Sequence, residues 1–148
     1  MKKIFYLSTA LLAALSLNAC QEEGKKAIEF DSLPETAKEL VNTHFADKQV
    51  AAVYRDHEVT DKDYEVIFTD GANIDFTKKG EWDEVEDRDA DGVPEAIIPQ
   101  AIREYVNEKH AGQYVVQIGK ERKEYEVELN SSIEITFDKN GKFVRYDD

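Results

Sequence analysis

From residue 33 the chain alternates between two hydrophobic periods, and it does so twice. Leu33, Ala37, Leu40, Val41 and Phe45 recur at spacings of three and four, which predicts one apolar stripe on a helix of about three turns. Ser32 to Glu35 has the spacing of a capping box, and Pro34 fits a first turn because its missing N–H would be unpaired there anyway. The period then changes to two. Ala51 and Val53 open a strand; Tyr64, Val66 and Phe68 form the next; Asp70-Gly71 is a turn signal before Ile74 and Phe76; Lys79-Gly80 leads to a fourth strand carrying Trp82 and Val85. The second pass has Ile98, Ile102, Tyr105 and Val106 on a helix stopped near Gly112, then Tyr125, Val127 and Leu129, then Ile135 and Phe137. Asn140-Gly141 turns into Phe143 and Tyr146.

The two passes are copies. Leu33-Pro34 through Asn42 matches Ile98-Pro99 through Asn107 at an offset of 65, and Tyr64-Glu65-Val66 onward matches Tyr125-Glu126-Val127 onward at an offset of 61. The predicted fold class is therefore α+β, a tandem repeat in which each copy is one helix followed by four antiparallel strands, with the helix on one sheet face and the other face open. Positions apolar in both copies, such as Phe76/Phe137, should face the helices, and Glu65/Glu126, Ile67/Glu128 and Asp75/Thr136 should point away. In the last strand both Trp82/Phe143 and Val85/Tyr146 are apolar. Residues three apart in a regular strand lie on opposite faces, so one pair is expected on the open face unless a bulge intervenes.

Lys2 and Lys3 precede an apolar run from Ile4 to Leu17, too short to span a bilayer and of the length of an export signal. Leu17-Asn18-Ala19-Cys20 resembles the lipobox of bacterial lipoproteins, which implies cleavage before Cys20 and a lipid on its thiol, enough for stable anchoring. Gln21 resembles the pattern that sends such proteins to the outer membrane. The expected organisation is a signal peptide over 1–19, a polar tether over 20–30, a first repeat over 31–92 and a second over 93–148. Loss of Lys2 and Lys3 takes the formal charge from −13 to −15. An excess of acids of that size argues against nucleic acid and anionic headgroups as partners, since both are bound through Lys and Arg. It leaves a basic protein, a cation or no partner at all. With no second cysteine for a disulfide, an apolar core must hold the fold.

Tyr125-Glu126-Val127-Glu128-Leu129 followed by Ile133 through Phe143, together with the Ile98-Pro99 helix start, resembles the PepSY-like, or β-lactamase-inhibitor-like, secreted proteins of Bacteroides-type bacteria. The resemblance covers about residues 33 to 148. It implies that the tandem units form one extended antiparallel sheet with helices on one face, the architecture also used by β-lactamase inhibitor protein, and it does not carry inhibition with it.

Candidate chemistry is sparse. There is no HExxH, CxxC, G-x-S-x-G or phosphate loop, and His44 and His110 end helices, where an imidazole near the terminal carbonyl groups is favourable. No enzyme and no cofactor is expected. Asp87, Asp89 and Asp91 followed by Gly92 have the spacing of the first half of an EF-hand loop, but Ile98 stands where the closing glutamate is needed, so at most weak calcium binding follows.

Two classes of function fit. In the first, the protein is a binding module that captures or inhibits a protein partner, a basic one by charge, through the open face; the candidate contacts are Tyr54, Glu65, Ile67, Trp82, Glu126, Glu128 and Phe143. The alternative is an envelope sensor or accessory lipoprotein that binds calcium or small basic ligands through its acidic connector.

Overall fold

The computed structural model describes residues 24–56 and 63–147; Cys20 and His57 lie outside that range. Among the described residues nine antiparallel strands run in sequence order across one sheet: β1 (Lys25–Ala27), β2 (Val50–Asp56), β3 (Tyr64–Phe68), β4 (Asn73–Phe76), β5 (Trp82–Glu86), β6 (Val115–Glu121), β7 (Glu124–Leu129), β8 (Glu134–Asp138) and β9 (Phe143–Asp147). Helix α1 (Glu35–His44) precedes β2, and α2 (Gln100–Lys109) precedes β6. Each repeat is thus one helix and four strands, and the two repeats share an unbroken sheet through the β5–β6 pairing.

One strand exceeds the expected eight. Residues 25–27, assigned above to a polar tether, pair with β2 as β1. An exposed sheet edge offers backbone N–H and C=O groups to any extended segment, so pairing there needs no apolar pattern.

The helix stripes form as the periodicity requires. Leu33, Ala37, Val41 and Phe45 are buried on the first, and Ile98, Ile102 and Val106 on the second. They close over the inward residues of the strands, Val53, Val66, Phe68, Ile74 and Phe76 in one repeat and Ile118, Val127, Leu129, Ile135 and Phe137 in the other, within one continuous core. Phe45 stacks on Phe68 at 5.2 Å, and Tyr105 meets Phe137 edge-on at 5.3 Å.

The expected capping box does not form. Pro34 and Pro99 occupy the N-cap positions, with no side-chain cap. A residue before proline is held extended, and Leu33 has ψ 152°. Ser32 is left in a separate single 3-10 turn, Phe30–Ser32, too early to reach the helix amides.

Each helix start rests on the turn that closes its own repeat. Gly80 and Gly141 have φ of +81° and +78°, a region that favours glycine. A Cβ at Gly80 would lie 2.7 Å from Pro34 Cβ, and one at Gly141 would lie 2.9 Å from Ala101 Cβ. Glycine here serves both the turn and the close approach of helix to sheet.

The last strand of each repeat carries a bulge. Asp75 faces Glu84 while the next residue, Phe76, faces Trp82, so Asp83 is extra; Thr136 faces Arg145 and Phe137 faces Phe143, so Val144 is extra. The extra residue restores the phase between positions three apart. Trp82 and Val85, and likewise Phe143 and Tyr146, therefore all lie on the helix side.

Candidate functional site

Among the described residues helices cover one face of the sheet only, and the pairing register determines what the other face presents. One row of opposed residues crosses all nine strands: Ala27, Tyr54, Glu65, Asp75, Glu84, Gly119, Glu126, Thr136 and Arg145. A second row runs beside it from Ala52 and Ile67 through Asn73, Glu86, Gln117, Glu128 and Glu134 to Asp147. With strands about 4.8 Å apart, these rows make a face roughly 40 Å wide. Its composition changes from end to end. Tyr54, Ile67 and Ala52 give the first repeat a mixed apolar surface, crossed by an ion pair from Lys25 to Glu65 at 3.0 Å. The second repeat presents mainly carboxylates.

Two arginines organise those carboxylates. Arg88 reaches from the end of β5 to Glu128, donating from Nη1 at 3.0 Å and Nη2 at 2.7 Å, and its Nε pairs with Glu86. Such a two-pronged contact is the strong form of a charge-assisted hydrogen bond. It holds the Glu128 carboxyl below its usual value and the guanidinium above its own. Arg145 pairs with Asp147 at 2.7 Å and approaches Glu124 at 3.6 Å. Between the two arginines lies a groove of about 430 Å³ over β6–β8, bordered by Glu84, Gly119, Glu121, Glu126, Glu134 and Asp147. Burial, then the charges of Glu121 and Asp147, push the Glu126 carboxyl above its ordinary value, with Arg145 acting the other way.

Of the candidate contacts, Tyr54, Glu65, Ile67, Glu126 and Glu128 share the open face. Trp82 and Phe143 do not. The bulges turn both rings to the helix side, where Lys120 Nζ lies 3.6 Å from the centre of the Trp82 ring and Phe143 stacks on Tyr105 at 5.2 Å. Tyr146 is half exposed on that side and joins Tyr105 and His110 through its hydroxyl, at 3.0 and 3.1 Å.

The three aspartates of the connector are not gathered into a metal cage. Asp87 is buried at 2% exposure, and the Lys48 ammonium lies 3.0 Å from it, 2.8 Å from Asp89 and against Asp70 in the β3–β4 turn. Asp91 is exposed, one residue before the turn glycine. Burial works against the charged form of Lys48, yet its hydrogen bonds to Asp70, Asp89 and Asp87 outweigh that and keep it protonated far above the ordinary range. Among the described residues no three His, Cys, Asp or Glu side chains are placed to hold a metal ion.

Arg88 and Gly119 had no part in the sequence reading. Arg88 looks like one more residue of a charged connector, and its partner Glu128 is forty positions away. Gly119 left a trace, an isolated glycine inside a strand pattern, which often marks a close approach to the backbone.

The family model described as "Putative beta-lactamase-inhibitor-like, PepSY-like" matches residues 20–61 and 62–145. The chain belongs to that family. Among solved structures it is similar to a "putative calcium-regulated periplasmic protein" from Bacteroides thetaiotaomicron, at 36% identity over 84% of this chain and 97% of that one, with a TM-score of 0.79. It is also similar to a periplasmic protein from Bacteroides vulgatus, at 35% identity over 86% and 100% of the two chains and a TM-score of 0.80. A second Bacteroides vulgatus periplasmic protein, of unknown function, has 33% identity over 84% and 100%, with a TM-score of 0.77. No curated protein matches significantly. The periplasmic location of these relatives agrees with an exported chain, and no helix among the described residues is long and apolar enough to cross a membrane.

Proposed function

We propose that this member of the β-lactamase-inhibitor-like, PepSY-like family is a non-enzymatic lipoprotein of the cell envelope, anchored to the outer membrane through Cys20, whose open sheet face captures or inhibits a protein partner. The observation that carries this reading is the uncovered face itself. Two repeats join edge to edge so that their outward residues line up in continuous rows, with Tyr54 and Ile67 at one end and the acids of β5–β8 at the other. Rings and aliphatic groups supply area to bury, and acids supply orientation and encounter rate, so the face suits a partner of mixed or basic character.

Photo-crosslinking residues placed in living cells at Ile67 and Glu126, with Glu39 of α1 as a helix-side control, test this. The two sheet positions should give one common adduct that Glu39 does not give; equal labelling from Glu39 overturns the reading. Once that partner is in hand, Glu65→Lys with Glu126→Lys should slow its association most at low salt.

A second reading has one observation in its favour, the relative described as calcium-regulated. In this chain Asp87 and Asp89 are already hydrogen-bonded to Lys48. Calorimetric titration with calcium should give no micromolar site, and micromolar binding that disappears in Asp89→Asn would favour the sensor over the binding module.

A further inference from the structure

Resting on the partner-binding reading of the open face, we propose that Gly119 floors a socket that receives one cationic side chain, arginine or lysine, from the protein partner. Gly119 lies in the middle of the long cross-sheet row, with Glu84 opposite it on β5 and Glu126 opposite it on β7. Neighbouring strands are about 4.8 Å apart, so a side chain standing on Gly119 is within reach of both carboxylates.

The fold itself does not call for glycine at this position. Each of the six other glycines has a positive φ, and Gly119 does not. A Cβ built there would meet only Glu84 Cγ, at an ordinary 3.9 Å. Glycine weakens a strand interior, and where neither turn nor packing needs it, a close approach by another molecule is what it permits. Comparison of the repeats points the same way. Val53 and Ile118 face Val66 and Val127 respectively, so Gly119 occupies in the second repeat the place that Tyr54 holds in the first. Where one copy carries a ring beside Glu65, the other leaves a hollow beside Glu126.

The charges around the hollow define what fits. On one side Arg88 engages Glu86 and Glu128, and on the other Arg145 engages Asp147. Among the described residues no hydrogen bond or ion pair joins Glu126 or Glu121 to a cation. Arg88 on Glu128 shows how this face holds a guanidinium, and a partner's cation over Gly119 would repeat that arrangement one row away. Its aliphatic stem would lie along the bare backbone of β6 while its head meets Glu126 and Glu84.

The test uses the full mature chain and a nine-residue peptide alternating arginine and threonine, with a citrulline-for-arginine peptide as its neutral counterpart. Wild type should bind the arginine peptide, shift the Gly119 amide resonance on doing so, and ignore the citrulline peptide. Gly119→Thr keeps every charge and suits a strand, yet should weaken binding about tenfold or more by filling the hollow. Should that variant fold poorly, Gly119→Ala should show the same direction with a smaller loss. Equal affinity in a folded Gly119 variant, or binding of both peptides alike, overturns the socket. Neither result bears on crosslinks from Ile67 and Glu126, so the wider binding-module reading stands or falls separately.

Discussion

The ammonium of Lys48 lies 3.0 Å from the carboxylate of Asp87, thirty-nine residues further along the chain, and joins the end of the first helix to the connector between the repeats. Asp70 and Asp89 complete the cluster. Lys48→Met should cost about 3 kcal/mol in urea denaturation, because it leaves the buried Asp87 without its cation. The Lys48 hydrogen bond holds the Asp70 carboxyl below its ordinary value. A depressed carboxylate contributes stability above its unfolded value of about 3.9 and loses it as pH falls through the folded value. Wild type should therefore lose stability more steeply than Lys48→Met in that acid window.

Phe76 and Phe137 are both 0% exposed at equivalent places in the two repeats. Truncating either to Ala should cost about 3–5 kcal/mol, measured by denaturant unfolding. A loss below 1 kcal/mol at one of them would mean that its repeat does not pack as its twin does.

Trp82 is the only tryptophan, and its ring lies under the Lys120 ammonium. Burial lowers the Lys120 pKa. Tryptophan emission should titrate with a midpoint below the ordinary lysine value of about 10.4, and Lys120→Met should abolish that step. A Trp82 turned to the open face would show neither.

Glu126 gives the opposite pH sign from Asp70. Its folded pKa is raised, first by burial and then by Glu121 and Asp147, so its charged form strains the native state. The contribution is fully favourable below the unfolded value and is lost as pH rises through the folded one. Glu126→Gln should stabilise the protein at pH 7 by no more than about 1 kcal/mol, since water and salt screen this face. The difference should vanish below about pH 4, as thermal unfolding across pH would show.

Cys20→Ser tests the anchor. The thiol is the only atom able to accept the diacylglyceryl group, so the variant should appear in the soluble fraction as uncleaved or mis-cleaved precursor. Persistence in detergent-extractable membrane after carbonate washing would refute lipidation at this site.

Much of this architecture is local and therefore readable. Helix and strand periods, the turn glycines and the doubled offsets identified two helices, eight of the nine strands and the inward set from Leu33 to Phe137, because each rests on spacings within a few residues. Likewise, the matched copies put Glu65 and Glu126 on one face. What the periods could not supply is phase across a defect. A single extra residue, Asp83 or Val144, returns Trp82 and Phe143 to the helix side, and hydrophobic pattern alone does not say where such a bulge falls. Pairing between distant segments is equally invisible to it. Lys48 meets Asp87, Arg88 meets Glu128, and Gly119 comes to lie between Glu84 and Glu126 only because nine strands align in one register. That register is settled by the whole core at once, since slipping a strand by one position would turn its buried residues to water.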